Sequence, residues 1–222
     1  MNKILETVKN SLENFMVFDN SENNAIVPVN FEIIPNSKIV FVVGSNASGK
    51  SLIGKIIEMV CDENDIVKRS CSMRNRTSGM LGQMMVFGDE RDSSTGENSI
   101  SALKLGINST VKETDSVLIM DEPDVGLADE FSAAMGQYIA QKVNENYENI
   151  GLFVVITHSR RLISYAIEEL QSPFSKIHVG DENVTFDEWL NRPFKPATVE
   201  DLLNLKVKAR DTWKKIQKLT KE

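Results

Sequence analysis

The sequence predicts an α/β fold with a mostly parallel central sheet flanked by helices, and two observations support this prediction. Short apolar segments typical of buried strands alternate along the 222 residues with segments of helical periodicity. Two of the apolar segments, Val117–Met120 and Leu152–Ile156, also run straight into polar residues, and a third, Ile39–Val43, breaks directly into a loop that begins with Gly44. Ligands of parallel sheets bind at the carboxyl ends of the strands, so the same pattern predicts a binding site there.

The individual elements follow from periodicity and from turn and capping residues. Residues 3–15 have apolar side chains at helical spacing, Ala25–Ile34 alternates like a strand, and Pro35-Asn36-Ser37 is a turn. Thr198–Asp201 resembles a capping box that opens a last helix over about 198–222. The other predicted elements are the strands Ile39–Val43, Val117–Met120, Leu152–Ile156 and Lys176–Val179, and the helices Ser51–Val60, Ser99–Ile107, Asp129 (as N-cap) to about Tyr147, and Arg160–Leu170 (with Ser159 as N-cap).

Length and composition favour a single soluble domain over residues 1–222. A hydrophobic content of 41% and a charged content of 26% are ordinary for a globular chain, and no apolar run is long enough to cross a bilayer. The two cysteines, Cys61 and Cys71, lack metal-ligand spacing, and the N-terminus has no signal-peptide core. These features predict a cytoplasmic protein. Residues from about 62 to 98 carry weak structural signals and are predicted to form a reduced, loop-rich arm.

One segment carries the most informative motif of the chain. Strand Ile39–Val43 breaks directly into a G-x-x-x-x-G-K-S pattern, formed by Gly44, Ser45, Asn46, Ala47, Ser48, Gly49, Lys50 and Ser51. Gly44 and Gly49 let the backbone curl until its N–H groups point at anionic oxygens. Lys50 can reach the β- and γ-phosphates, Ser51 offers its hydroxyl to Mg²⁺, and the following helix adds its positive dipole end. The segment therefore predicts a phosphate-binding loop that takes ATP and Mg²⁺.

Two further strand ends supply candidate catalytic residues. One apolar strand ends in Asp121 and Glu122. Asp121 suits Mg²⁺ coordination through water, and Glu122 is placed to polarise a water that attacks the γ-phosphate while Lys50 neutralises the developing charge. The next strand is followed by His158, which can hydrogen-bond the γ-phosphate or the attacking water. His178 has no such context, and no role is predicted for it.

Taken together, these residues resemble the ATP-binding cassette (ABC) family of P-loop ATPases. Gly44–Ser51 looks like the Walker A motif, Val117–Glu122 like Walker B with its catalytic glutamate, and His158 like the switch histidine. Asp124–Asp129 resembles the D-loop region. The family's signature motif corresponds to Ser94, Thr95, Gly96 and Glu97. In the family this motif contacts the γ-phosphate held by the other subunit, so the resemblance implies an ATP-dependent, head-to-tail homodimer.

Several positions depart from the family pattern. The signature has Ser93 for Leu, Thr95 for Gly and Glu97 for Gln, and the usual D-loop aspartate position is Ala128, with Asp129 one residue later. About forty residues separate the phosphate loop from the signature, fewer than transporter cassettes devote to their helical subdomain. The chain therefore looks like the soluble RecF/SMC/OLD-type branch, compact and without a coiled coil.

The resemblance also implies two further residues around the nucleotide. A Q-loop glutamine that would contribute to the metal site is expected before the signature, and Gln83 is the candidate. An aromatic residue upstream of the phosphate loop often stacks on adenine. Phe18 is one candidate for this role, and Phe15 and Phe31 compete with it.

Charge is distributed unevenly along the chain, whose net charge is −7. From Lys206 to Glu222 seven basic and two acidic residues give a net charge of +5, which leaves −12 on the remainder. A smaller basic cluster consists of Lys68, Arg69, Arg74 and Arg76. Segments Lys206–Lys221 and Lys68–Arg76 are therefore candidate DNA contacts, and a solvated helix face is the alternative.

The leading functional hypothesis is a soluble ABC-type ATPase that couples ATP-driven dimerisation to a partner, either DNA or an unidentified protein. Three alternatives remain open. The chain could be the nucleotide-binding subunit of a transporter, an ATP-gated clamp with negligible turnover, or a small-molecule kinase whose lid arginines would be Arg69, Arg74 and Arg76. The pair of Asp121 and Glu122 favours hydrolysis over phosphate transfer.

Overall fold

The structure, a computed structural model, describes residues 3–14, 26–72, 94–113, 115–181 and 183–219. The strands in this part of the chain are β1 Val29–Glu32, β2 Ile39–Gly44, β3 Val67–Ser72, β4 Ser116–Asp121, β5 Leu152–Thr157 and β6 Ser175–Val179. The α-helices are α1 Lys3–Glu13, α2 Lys50–Glu63, α3 Thr95–Thr110, α4 Asp129–Glu145, α5 Arg160–Glu169, α6 Phe186–Asn191 and α7 Val199–Leu219. A short 3₁₀ turn, Tyr147–Asn149, follows α4.

The described strands form one six-stranded sheet in the order β1-β6-β2-β5-β4-β3. Strand β1 runs antiparallel to β6 at one edge, and every other neighbouring pair is parallel. The predicted α/β fold with a mostly parallel sheet is therefore confirmed. Strands β2, β4 and β5 are buried almost throughout, as expected for a parallel sheet covered on both faces.

Each face of the sheet has its own hydrophobic core, because alternate side chains of a strand point to opposite faces. On one face, α1 and α2 pack against side chains such as Val40, Val42 and Ile119. On the other face, α3, α4, α5 and α6 pack against Phe41 and Phe153, among others. At the carboxyl ends of the central strands, helix α7 lies near the loop after β2.

Most of the predicted elements are confirmed, but several of their boundaries are wrong. Asp129 was predicted to cap α4, but the N-cap is Ala128 and Asp129 is the first helical residue, where its charge favours the positive end of the helix dipole. The predicted strand Ala25–Ile34 is shorter than expected. Ala25 lies outside the described residues, and within residues 26–34 only Val29–Glu32 is a strand, paired with β6 at the sheet edge.

The predicted loop-rich arm over about 62–98 contains a strand that the sequence did not reveal, and residues 73–93 of this arm lie outside the described part of the chain. Val67–Ser72 pairs in parallel with β4 at the sheet edge, and α3 begins at Thr95, before the predicted Ser99. Polar residues fill β3 because an edge strand needs little apolar surface and charge protects it from aggregation. Lys68 forms an ion pair with Asp62, and Arg69 donates to Glu113 at 2.8 Å.

Two other findings concern helices. The short helix α6 was not predicted, although Thr185 and Glu188 form the capping box that opens it. The capping box predicted at Thr198 and Asp201 is confirmed, since Asp201 Oδ2 accepts from Thr198 N at 3.0 Å. Across the described ranges, no helix combines the length and apolar character that a membrane crossing requires.

Candidate functional site

The sheet topology brings three sequence-predicted positions to one edge of the sheet. Strands β2, β5 and β4 are neighbours and run parallel, so their carboxyl ends lie side by side. The loop that begins at Gly44 leaves β2, Asp121 ends β4, and His158 follows β5. Residues that are far apart in the chain therefore meet around a single region.

Two glycines shape the loop between β2 and α2. An added Cβ at Gly44 would lie 2.3 Å from the carbonyl oxygen of Val179 and 2.8 Å from Ser48 Oγ. Gly49 has a φ of 107°, which L side chains rarely adopt, and a Cβ there would lie 2.7 Å from Val27 Cγ1. The loop curls closely against its surroundings, and both positions require glycine, as the motif predicted.

No side chain caps the N-terminus of α2. Gly49 occupies the N-cap position without a side-chain hydrogen bond. The neighbouring Ser48 Oγ is buried and has no hydrogen-bond partner within the described part of the chain. A helix N-terminus presents N–H groups that need acceptors and carries about half a unit of positive charge. An anion bound here would satisfy both the backbone and the buried hydroxyl.

Lys50 is the first residue of α2 and is only 6% exposed. Its Nζ donates to the carbonyl oxygens of Gly44 at 3.0 Å and of Ser45 at 2.9 Å. Burial lowers the pKa of this ammonium, whereas the nearby carboxylates of Glu122 and Asp121 act to raise it. A further negative charge in the loop would compensate the burial of the ammonium in the same way.

Glu122 and His158 form a hydrogen-bonded pair in which His158 Nδ1 lies 2.9 Å from Glu122 Oε1. This bond lowers the pKa of Glu122 and raises the pKa of His158, because it favours the charged form of each partner. Glu122 has a φ of 51°, uncommon for a residue with a side chain, and its N–H donates to the Ile156 carbonyl oxygen at 2.7 Å. The bond to β5 holds this conformation and keeps the carboxylate beside His158.

A short chain of hydrogen bonds supports this pair. Thr157 Oγ1 donates to Asp124 Oδ1 at 3.3 Å and accepts from the N–H of Ser159 at 2.9 Å. Ser159 also caps α5, as predicted. The turn after β4, which contains Glu122, is thereby tied to the turn after β5, which contains His158.

Two of the three predicted metal ligands lie at the same edge of the sheet. Ser51 is in the first turn of α2, and Asp121 ends β4. Within the described ranges, no group of three or more His, Cys, Asp or Glu side chains is arranged to hold a metal ion. One hydroxyl and one carboxylate form a partial ligand set of the kind that Mg²⁺ completes with phosphate oxygens and water. These residues therefore fit a Mg²⁺ ion that binds together with a nucleotide's phosphates.

The residues of the predicted signature form an internally capped helix start. Ser94 Oγ accepts from Glu97 N at 3.3 Å, while Glu97 Oε2 accepts from Ser94 N at 2.8 Å and from its Oγ at 2.9 Å. These bonds lower the pKa of Glu97. A Cβ on Gly96 would come within 2.9 Å of the Gly126 carbonyl oxygen, so α3 begins in close contact with the loop after Glu122.

Helix α7, Arg160 and Arg192 border the loop between β2 and α2. The sequence did not predict this arrangement. A cavity of about 480 Å³ is lined by the loop, by His158 and by the first half of α7. Arg160 Nη1 donates to the Arg192 carbonyl oxygen at 2.6 Å, and Arg192 Nη2 donates to Ser45 Oγ at 3.4 Å. Burial and the Arg192 guanidinium lower the pKa of Arg160. No local motif marks these residues, because the tertiary fold alone brings them to the loop.

The remaining candidates lie elsewhere. Gln83, Phe15 and Phe18, as well as Arg74 and Arg76, fall outside the described residues. In contrast, the structure does describe Phe31, whose ring packs against the core on the α1 and α2 face.

No protein-family model matches the sequence, and a search of curated proteins finds no match either.

Proposed function

We propose that the protein is an ABC-type ATPase of the RecF/SMC/OLD-like branch that binds and hydrolyses Mg·ATP. One observation supports this proposal more than any other. The uncapped start of α2, with the buried Lys50, lies at the same sheet edge as the hydrogen-bonded pair of Glu122 and His158. The first group suits a phosphate chain, and the second suits a water molecule beside its last phosphate.

In this mechanism each residue has a defined task. The N–H groups of residues 44–51 hold the phosphates, and Lys50 exchanges its two carbonyl partners for phosphate oxygens and neutralises charge in the transition state. Glu122 accepts a hydrogen bond from the attacking water and orients it. His158 holds Glu122 before the nucleotide binds and then contacts the γ-phosphate or the water. Mg²⁺, when bound at Ser51 and Asp121, would withdraw charge from the phosphate oxygens.

The ABC resemblance extends the proposal to a homodimer. Ser94–Glu97 of one copy would face the γ-phosphate held by the other copy, so that hydrolysis depends on association. The proposal predicts that turnover per subunit rises with protein concentration. A rate per subunit that is independent of concentration, measured well below the dissociation constant of any dimer, would contradict this part of the proposal.

Phosphate release and nucleotide binding test the proposed function directly. The wild-type protein should bind Mg·ATP and release phosphate without any added acceptor, and Lys50→Ala should lower the affinity at least tenfold. Lys104→Ala, which removes an exposed lysine of α3, is the matched control and should behave like the wild type. Transfer to an acceptor without free phosphate would instead support a kinase, and tight binding without turnover would support an ATP-gated clamp.

DNA is the partner class that the charge of α7 favours. The basic residues on its described part are all exposed: Lys206, Lys208, Arg210, Lys214, Lys215 and Lys218. Lys208 lies 3.9 Å from the carboxylate of Asp201 on the same helix. Lys68 and Arg69 are both engaged with carboxylates, which reduces the positive potential of the second basic cluster. DNA binding through α7 should weaken steeply with salt and be abolished by Lys214→Glu combined with Lys215→Glu. DNA binding that is unaffected by salt and by the double substitution would show that α7 is not the DNA contact.

A further inference from the structure

One of the cavities between the phosphate loop and helix α7 reaches Trp213. It has a volume of about 250 Å³ and is lined by residues 46–52, by Lys55 and Glu122, and by Ala209, Thr212, Trp213 and Ile216 of α7. Val27 completes the lining beside Gly49. One end of the cavity therefore carries the charged groups of the proposed phosphate site, and the other end is apolar and aromatic.

Trp213 is positioned at the apolar end by one contact of its own and by the packing of its helix. The ammonium of Lys55 lies 5.9 Å from the centroid of the indole ring, within the range of a cation–π interaction. One turn further along α7, Ile216 packs against the hydrophobic core. The indole nevertheless remains 49% exposed, so a large part of its surface is available to a ligand.

The two ends of this cavity match the two ends of a nucleotide. A phosphate chain in the loop leaves its base to project into the rest of the cavity, and a planar base gains most from an aromatic face. Phe31, the described competitor for this role, packs into the core and does not line the cavity. We infer that Trp213 stacks on the base of the bound nucleotide, so that the C-terminal helix forms the base-binding wall of the site.

This inference rests on the proposed function, because it requires the phosphates to lie in the loop. The test therefore compares two ligands of the full-length protein, Mg·ATP and magnesium tripolyphosphate, which has the phosphates but no base. Both are measured by calorimetry on the wild type, on Trp213→Ala and on Trp213→Phe. Leu203→Ala is the matched control, because Leu203 is an exposed apolar residue of α7 that lines none of the described cavities around the loop.

Trp213→Ala should weaken ATP binding by about 5- to 150-fold, the range expected for the loss of one base–aromatic stack. Tripolyphosphate affinity should not change, Trp213→Phe should retain most of the ATP affinity, and Leu203→Ala should match the wild type. Fluorescence supplies a second readout, since the chain has two tryptophans. In a Trp189→Phe background, ATP should quench the emission of Trp213 and tripolyphosphate should not.

The possible failures are distinguishable. If the wild type binds both ligands but Trp213→Ala binds ATP normally, or loses both ligands equally, the inference about Trp213 is overturned and the proposed phosphate site stands. If the wild type binds neither ATP nor tripolyphosphate, the proposed function and the inference both fail.

Discussion

Helices α2 and α3 begin in opposite ways, although both were predicted to face nucleotide phosphate. Helix α2 starts after Gly49, which offers no side chain to its first turn. Helix α3 starts after Ser94, which forms a reciprocal capping box with Glu97. The first helix leaves its N-terminal donors for an external anion, and the second satisfies its own donors with a carboxylate.

This difference shows how one chain can favour an anion at one helix start and disfavour it at another. The hydrogen bonds from Ser94 lower the pKa of Glu97, so its carboxylate is charged near neutral pH. A γ-phosphate approaching the start of α3 would meet a like charge within the first helical turn. A signature role for this segment therefore requires Glu97 to turn away when the dimer forms, whereas α2 needs no such change.

The largest loss of stability is expected from a substitution at Gly49, before the start of α2. Gly49→Ala forces a Cβ into a left-handed conformation and to within 2.7 Å of Val27, so it should destabilise the protein by about 2 kcal/mol. That corresponds to a melting temperature lower by roughly 4–8 °C. Ala47→Gly is the matched control. Ala47 already has a φ of 60°, so this substitution should change the stability of the protein very little. An unchanged melting temperature for Gly49→Ala would show that the loop accommodates the added Cβ without strain.

An intermediate loss of stability is expected from a substitution at the capped start of α3. Ser94→Ala removes the side-chain acceptor at the start of α3 and should cost about 1 kcal/mol, which lowers the melting temperature by roughly 2–4 °C. Glu97→Gln preserves the capping geometry and removes the charge, so its stability should be close to that of the wild type. If α3 contacts phosphate in the dimer, Glu97→Gln should also strengthen ATP-driven association. Weaker association would argue that the carboxylate itself is needed.

The smallest effect concerns the pair of Glu122 and His158 beside α2, and it depends on pH. Because the pKa of His158 is raised, the contribution of this side chain to the free energy of unfolding is complete below the ordinary pKa of 6.5. That contribution is lost as the pH rises through the raised pKa. Because the pKa of Glu122 is lowered, the contribution of this side chain to the free energy of unfolding is complete above the ordinary pKa of 4.5. That contribution is lost as the pH falls through the lowered pKa. The stabilisation should therefore be largest between these two pH values.

Thermal melting of His158→Ala against the wild type measures this contribution. Both side chains are partly exposed, so the difference should not exceed about 1 kcal/mol. It should be greatest near pH 5.5 and shrink at alkaline pH. A difference that stays constant across the pH range would mean that His158 acts through packing and not through its charge.

The sequence predicted the parts of the site that depend on local chemistry. Gly44, Glu122 and His158 each stand where an apolar strand stops, and Lys50 begins the helix that follows the first of these strands. A parallel sheet gathers such strand ends at one edge. The hydrogen bond between Glu122 and His158 follows from this rule once β4 and β5 are neighbours.

The sequence could not predict contacts that depend on tertiary packing. Strand β3 carries Lys68 and Arg69 where a buried strand would carry apolar residues, so its pattern resembles a loop. Arg192 and Trp213 reach the phosphate loop because α6 and α7 return to it, and nothing near them in the sequence marks that approach.

Size measurement of Glu122→Gln with and without Mg·ATP tests the central proposal most directly. The substitution keeps the shape of the side chain and removes the charge that we propose orients the attacking water. We expect the variant to bind ATP, to release phosphate at least a hundredfold more slowly than the wild type, and to elute as a dimer only in Mg·ATP. A variant that hydrolyses ATP at the wild-type rate would contradict the assignment of Glu122 and the hydrolytic site built around it.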